Sequence, residues 1–190
     1  GDVYKRQLIQ LFDLEKVHKA GARFDPEKIK WFNHQYLQKK SDAELAAAFQ
    51  KELIAKGIEV ALTKVEKIVT LIKERATFVA DFWELSKFFF EAPKKYDEKA
   101  VKKQWKENTP TIVREVIEVL QNTSDFNSVA LEEAVKNYME TKQLGFGQVM
   151  PPLRLALVGE LKGPHVFDII ELIGKEETLR RLETILSFIK

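Results

Sequence analysis

Cysteine is absent from all 190 residues of the chain. Its absence excludes disulfide bonds and metal sites built on thiolates, and it is compatible with a reducing compartment such as the cytoplasm. The three histidines, His18, His34 and His165, are far apart and show no metal-ligand spacing. We therefore expect no metal site and interpret the histidines as surface or packing residues.

Long hydrophobic runs are also missing, and neither sign of charge is in large excess. Apolar stretches such as residues 88–90 and 153–158 fall far short of the ~20 residues that a membrane-spanning helix needs. We therefore expect no membrane partner. The 31 basic and 29 acidic side chains leave a net charge of +2, which is too small to indicate a nucleic-acid partner by itself. Affinity for RNA would have to come from local clustering of charge.

Catalytic motifs are missing as well. The sequence contains no glycine-rich phosphate loop, no His-Glu metal motif and no nucleophilic serine turn. The adjacent carboxylates at 132–133 and 176–177 diverge on a helix, so solvated surface explains them better than acid–base chemistry. We therefore predict no catalytic residue in this chain and no cofactor bound to it.

Helix signals recur along the chain, whereas the alternating pattern of half-buried strands is almost absent. The sequence predicts an all-α fold, a helical cage of about nine to eleven short helices in two lobes. A first short helix is expected at residues 8–14. Asp25-Pro26 should start a helix that runs to about Gln38, with Trp31 and Tyr36 in the core.

Further caps and stops divide the rest of the chain. Ser41 and Glu44 form a capping box, and Gly57 supplies a left-handed stop. A helical pattern from about residue 63 breaks at 75–77 and resumes until 89, and residues 94–96 are the expected flexible joint. The pair at 151–152 is predicted to open a short apolar helix that stops at Gly159.

A basic helix is predicted from Asp97 to about Glu107. Such a charge cluster is usually a solvated face, but contact with an RNA backbone is the alternative, because backbone binding requires clustered positive charge. The lysines of this segment and its lead-in are Lys94, Lys95, Lys99, Lys102, Lys103 and Lys106.

The first residues resemble a foreign segment. Residues 2–7, DVYKRQ, look like the translation of a transposase end sequence that is used to prepare DNA sequencing libraries. We therefore exclude residues 1–7 from the fold and expect the natural protein to begin upstream. A genuine short N-terminal arm is the alternative.

Three segments in this order resemble the C-terminal half of bacterial-type glutamate–tRNA ligases, and together they cover essentially residues 8–190. They are GARFD at 21–25 with KWFNHQYL at 30–37, MPPLRLALVG at 150–159, and GPHVFDII at 163–170 with LIGKEETLRRL at 172–182.

The resemblance implies a tRNA-binding part of a class I ligase that lacks the catalytic domain. The upstream domain would attach glutamate to tRNA(Glu) with ATP and Mg²⁺, and the expected protein is a cytoplasmic monomer. Residues 8–60 would contact the tRNA stem at its inner corner, and residues 61–95 and 96–190 would be two anticodon-binding lobes. The alternative is a free-standing helical interaction module without RNA binding.

The resemblance also implies particular RNA contacts. Arg75, in LIKER at 71–75, occupies the position where family members carry an arginine or glutamine that faces the third anticodon base. A guanidinium offers donors in a fixed fork to the acceptors of a cytosine. A helix-terminal arginine that donates to backbone carbonyls is the alternative.

The remaining candidates lie near the C-terminal part and near the first glycine turn. Arg154 interrupts an apolar run, so it is either a snorkelling charge or a ligand contact, and the resemblance favours the contact. Gly163, Pro164 and Val166 match a loop that packs against anticodon bases, although a tight turn with Phe167 in the core explains the glycine and proline equally well. Lys16, Lys19 and Arg23 are candidates for contact with the tRNA stem.

Overall fold

The computed structural model describes residues 25–189, and these residues form helices and loops without any β-strand. The all-α prediction is confirmed. Ten α-helices are present in this range: α1 Pro26–Lys39, α2 Asp42–Ala55, α3 Leu62–Ile72, α4 Asp81–Ser86, α5 Glu98–Gln104, α6 Thr109–Asn122, α7 Ser128–Thr141, α8 Phe146–Val158, α9 Val166–Ile173 and α10 Lys175–Phe188. Short 3₁₀ turns at Lys73–Arg75 and Lys87–Phe89 follow α3 and α4. The helix expected at 8–14 lies outside the described residues.

Local capping sets the start of the first two helices. The Asp25 carboxylate accepts hydrogen bonds from the backbone N–H groups of Glu27 and Lys28. Ser41 and Glu44 form the reciprocal capping box, and Gly57 has a φ of +77° after α2. These side chains satisfy N–H groups that have no partner inside a helix, so the sequence alone places both starts correctly.

One connected hydrophobic core runs through the described residues. Helix α2 packs against α3, and α6 packs against α7, α8 and α10. Helix α9 contacts α7, α8, α10 and the 3₁₀ turn Lys87–Phe89. The earlier helices therefore join the later ones through this turn, and the boundaries at 60 and 95 stay predictions.

The prediction that Trp31 and Tyr36 are core residues is wrong. The two side chains are 58% and 69% exposed. Helix α1 instead turns its other face inward, where Leu37 is buried and His34 and Gln38 bond to the backbone after α3. Those two backbone contacts set the rotation of α1 and leave the aromatic side chains outside.

Helix α8 begins at Phe146, five residues before the expected start, and both Pro151 and Pro152 lie inside it. Proline is favoured in the first helical turn because it has no N–H to donate, which led to the wrong start. Val149 and Met150 are buried, so packing holds the preceding turn in helical conformation. The predicted stop at Gly159 is confirmed, with a φ of +86°.

Helix α5 is shorter than predicted and ends at Gln104 rather than near Glu107. Trp105 has extended backbone angles, and the N–H of Lys106 donates to the Thr109 hydroxyl at 2.8 Å. This side-chain acceptor offers the backbone an alternative to another helical turn.

The expected joint after Pro93 is in contact with the end of α8. The N–H of Asp97 donates to the Gly159 carbonyl at 2.8 Å. A Cβ on Gly159 would lie 2.6 Å from the Lys95 carbonyl oxygen, so only glycine allows this approach. The joint thus lies beside the loop that follows α8.

Arg181 on α10 is a buried charge, 2% exposed, that no sequence pattern indicated. Its Nη1 donates to the carbonyls of Phe88 and Leu157, both at 2.7 Å, and its Nε donates to Glu177 at 2.7 Å. The side chain therefore joins α10 to the 3₁₀ turn before the joint and to the end of α8.

Between residues 25 and 189, none of the helices has the length and apolar character that crossing a membrane requires.

Candidate nucleic-acid interface

A cleft of about 470 Å³ lies between the end of α3, helix α4 and the loop after α8. Three of the predicted site residues, Arg75, Arg154 and Gly163, line it together. Arg75 and Arg154 are 79 positions apart in sequence, so only the fold brings them to one place. The other lining residues are Glu84, Leu85, Phe88, Glu160, Leu161 and Lys162.

Arg75 lies at the end of the 3₁₀ turn that follows α3, and its side chain is exposed. Helix α1 holds this turn on both sides of Arg75. The His34 ring nitrogen Nδ1 lies 2.8 Å from the Ala76 carbonyl, and the Gln38 amide donates to the Lys73 carbonyl at 2.9 Å. Neither residue was identified from sequence, because the contact joins positions 35 and 42 residues apart.

The guanidinium of Arg75 makes no hydrogen bond or ion pair with another residue of the range 25–189. Within these residues Arg75 therefore does not donate to helix-terminal carbonyls, which was the alternative interpretation. Its five N–H donors face a cleft and are available to a ligand.

Arg154 forms the opposite wall, and its side chain is partly buried. Its Nη1 donates to the Pro164 carbonyl at 2.7 Å and, more weakly, toward the Lys162 carbonyl at 3.4 Å. Burial, and next the nearby Arg75 guanidinium, lower the pKa of Arg154 from its ordinary value. The group remains charged at neutral pH, since an arginine pKa is far above it.

Gly163 allows the close packing of this loop. Its φ is +123°, a conformation that favours glycine, and a Cβ would lie 3.3 Å from Arg154 Nη1. Pro164 and Val166 are buried, so their side chains are not presented to solvent. Phe167 is 1% exposed, as the tight-turn interpretation expects.

A second, smaller cleft adjoins the first on the other side of Arg154. It has a volume of about 230 Å³, and Arg154 and Leu161 line both clefts. Val166 lies at its edge, at the first position of α9, where the backbone N–H has no partner inside the helix. Of the loop residues, His165 and Val166 line this cleft, whereas Gly163 and Pro164 do not.

Three charged residues of the main cleft were not predicted. Lys162 adds a third positive charge, and Glu84 and Glu160 add two carboxylates. Glu84 is bonded to Lys87 at 2.6 Å, whereas Glu160 is exposed and forms no ion pair with any described residue. The only sequence signal for Glu160 and Lys162 is their position on either side of Leu161, between two glycines, and this pattern matches no motif.

The remaining predicted site residues are those expected to contact the tRNA stem. Lys16, Lys19 and Arg23 lie outside the described residues. From residue 25 to 189, no group of three or more histidine, aspartate or glutamate side chains is arranged to hold a metal ion.

Comparison with known proteins gives a consistent picture. Residues 27–186 match the family model described as anticodon binding domain. The chain is 55% identical to the glutamate–tRNA ligase of Flavobacterium johnsoniae over 95% of its own length, and 49% identical to that of Porphyromonas gingivalis over 93%. It spans 36% and 35% of the length of these two proteins.

A solved structure agrees in fold. The crystal structure of a glutamate–tRNA ligase from Elizabethkingia meningosepticum, in complex with its amino acid, matches with a TM-score of 0.87 at 49% identity. The match covers 97% of this chain and 37% of that one. A family match over residues 27–186, together with this close agreement in fold, leaves one conclusion: the chain belongs to the anticodon-binding domain family.

Proposed function

We propose that this chain binds tRNA(Glu) by its anticodon, as the C-terminal part of a glutamate–tRNA ligase. The observation that carries the proposal is the convergence of Arg75 and Arg154 on one cleft. The relatives are named glutamate–tRNA ligases, and the matched family is an anticodon-binding domain, which supports a tRNA as the ligand.

The charges of the cleft suit the edge of a base better than a phosphate. A phosphate presents only acceptors, and the carboxylates of Glu84 and Glu160 would repel it. A cytosine presents two acceptors and one amino donor on its pairing edge. Arg75 can donate to the acceptors, and Glu160 can accept from the amino group, as carboxylates do in base recognition.

The floor of the cleft is apolar and suits the face of a base. Leu85, Phe88 and Leu161 line it, and Phe88 is 7% exposed. Single-stranded bases can be splayed out and packed against such side chains, which leaves their edges free for hydrogen bonds. We propose that the third anticodon base occupies this cleft and that Arg75 reads it.

The adjoining cleft would hold a neighbouring base of the anticodon. Gly163, Pro164 and Val166 support this through the shape of their backbone, because Arg154 fixes the loop by its bond to the Pro164 carbonyl. Arg154 would then have two roles. It would hold the loop in place through the Pro164 carbonyl, and its side chain would lie between the two bases. Contact of Lys16, Lys19 and Arg23 with the tRNA stem is part of the same proposal.

Attachment of glutamate to the tRNA would be the work of the longer protein. This step uses ATP and Mg²⁺, and the described residues offer neither a phosphate loop nor a metal site for it. This chain would supply recognition and orientation of the tRNA. We expect the longer protein to act as a cytoplasmic monomer.

The experiment measures binding of the purified chain to tRNA(Glu) and to the same tRNA with a changed third anticodon base. We expect the unchanged chain to prefer the natural base by about 1–3 kcal/mol, or roughly 5- to 150-fold in Kd. Arg75→Gln should lose most of this preference. Arg114→Gln is the matched control, because Arg114 is an exposed arginine on α6 that does not line the cleft.

Equal affinity of the unchanged chain for both tRNAs would show that the cleft does not read the third base. Equal affinity for tRNA(Glu) and an unrelated tRNA would overturn anticodon recognition. Absence of any tRNA binding would favour the alternative, a helical interaction module without an RNA role.

A further inference from the structure

Six lysines form one exposed stretch of surface, which we call the lysine strip: Lys94, Lys95, Lys99, Lys102, Lys103 and Lys106. No side chain of the strip makes an ion pair or hydrogen bond with another residue in the range 25–189. Elsewhere several lysines are neutralised locally: Lys136 on α7 pairs with Glu132, and Lys142, directly after α7, pairs with Glu115.

Packing of α5 decides which way the lysines point. Ala100 is 7% exposed and Val101 packs against the core, so the buried side of the helix contains these two residues. Lys99, Lys102 and Lys103 lie on the solvent side, at spacings of three and four residues. Side chains at these spacings are neighbours on a helix, with Cβ atoms ~5–6 Å apart. These three lysines therefore form a row of positive charge on α5.

Nearby carboxylates reduce this charge only in part. Asp97 is engaged at the start of α5, where it accepts from the N–H of Ala100 at 2.9 Å. Glu98 and Glu107 are exposed and remain free to oppose the lysines. Six lysines against three carboxylates leave +3 over residues 94–107, more than the +2 of the whole chain. This segment therefore carries a local excess of positive charge.

The strip begins at the rim of the main cleft. The Lys95 carbonyl is in contact with Gly159, and the Gly159 carbonyl accepts from the Asp97 N–H. The loop that starts at Gly159 carries Lys162, which lines the cleft three residues later. The backbone of the strip at Lys95 thus lies against Gly159, three residues before the cleft residue Lys162.

We propose that the lysine strip binds the phosphate backbone of the tRNA beside the anticodon loop, independently of base sequence. This proposal rests on the proposed function, because it takes the cleft to hold the anticodon. A lysine ammonium is a mobile point charge that can bind a phosphate oxygen without reading base sequence, whereas an arginine fork can also donate to two acceptors on a base edge. The strip fixes the tRNA in position while the cleft reads it.

The composition of the strip favours RNA over a protein partner. Protein interfaces are depleted in lysine and usually have an apolar, aromatic centre. The two aromatic side chains within the segment, Tyr96 and Trp105, are only partly exposed and pack against the core. An acidic protein would therefore find charge but no apolar anchor on this surface.

The test compares two double variants of the full 190-residue chain that lower the net charge equally. Lys99→Gln with Lys103→Gln removes two charges of the strip, and Lys136→Gln with Lys142→Gln removes two ion-paired lysines in and directly after α7. Binding is measured over a range of salt concentrations, with tRNA(Glu) and with the tRNA that carries a changed third anticodon base.

The strip variant should bind both tRNAs roughly tenfold more weakly at low salt, and the slope of log K against log salt should fall by about 1–2. Its preference between the two tRNAs should stay as in the unchanged chain. The α7 variant should change neither quantity appreciably. Glu98→Gln with Glu107→Gln should strengthen binding of both tRNAs.

Two results would overturn the proposal. The first is a strip variant whose affinity, salt slope and anticodon preference are all unchanged. This result would show that the strip does not bind the tRNA backbone, and it would leave the proposed function intact. A loss of affinity confined to the natural anticodon would show that the strip does not act on the backbone. Conversely, strip-dependent binding without anticodon preference would support the strip and contradict reading by the cleft.

Discussion

Replacing Arg181 with methionine should lower the free energy of unfolding by about 3–5 kcal/mol, because a buried group that serves three partners is lost. The guanidinium is 2% exposed and donates to Phe88, Leu157 and Glu177. Methionine is similar in length and apolar, so the change removes the donors while a side chain still fills the space.

The magnitude follows from the groups left without a donor. Leu157 lies in the last turn of α8, where a carbonyl has no partner inside the helix, and the carbonyl of Phe88 lies after α4 at the core. Each buried acceptor without a partner costs about 1–3 kcal/mol. The Glu177 carboxylate keeps two hydrogen bonds from Arg180, so the loss of its bond from Arg181 costs less free energy than the loss at either carbonyl.

The assay is urea unfolding followed by far-UV circular dichroism, with Arg180→Met as the neighbouring control. Arg180 is exposed and binds the same carboxylate, so its replacement should cost less than about 1 kcal/mol. Arg181→Lys, which keeps the charge and some donors, should lie between the two. If Arg181→Met and Arg180→Met destabilise the protein equally, the reasoning about buried acceptors is refuted.

Two further predictions concern stability. Gly159→Ala should destabilise the protein by more than about 2 kcal/mol, because a Cβ would lie 2.6 Å from a backbone oxygen. Gly57→Ala is the control, since Gly57 has a similar φ but open space around it, and this change should cost only about 1 kcal/mol. Equal shifts of the two melting temperatures would contradict this prediction. The pKa of Glu177 is lowered from 4.5 to about 2, first by the Arg180 hydrogen bond and then by Arg181. The ionised Glu177 carboxylate therefore stabilises the folded protein fully above pH 4.5, and this contribution is lost as the pH falls through 2. The loss amounts to about 1–2 kcal/mol of unfolding free energy after allowance for solvent screening. Glu177→Gln should remove this pH dependence of the unfolding free energy.

Helix starts that depend on neighbouring residues could be predicted well. The caps at Asp25 and Ser41 involve donors two or three residues away, so the sequence contains all the necessary partners. Pro151 and Pro152 misled the prediction, because a local preference for the first turn was overcome by burial of the residues before them. Local rules hold where the partners are local.

The candidate site could be predicted only residue by residue. Arg75 and Arg154 are identified by resemblance to a family, and no pattern in the sequence indicates that they lie in one cleft. His34 and Gln38, which hold the turn of Arg75, were missed because their partners are backbone carbonyls far along the chain. A carbonyl carries no sequence signal, so such contacts are invisible before folding.

The sequence by itself determined that the chain is all-α, where most helices begin and end, and that residues 94–106 carry a local excess of positive charge. Only the tertiary structure decided that Trp31 and Tyr36 face outward, that Arg181 is buried, and that the lysine strip begins where the cleft ends. The physical reason is the distance along the sequence between the residues that determine each feature. Capping and charge density depend on neighbours in sequence, whereas burial and the convergence of side chains depend on packing between distant helices.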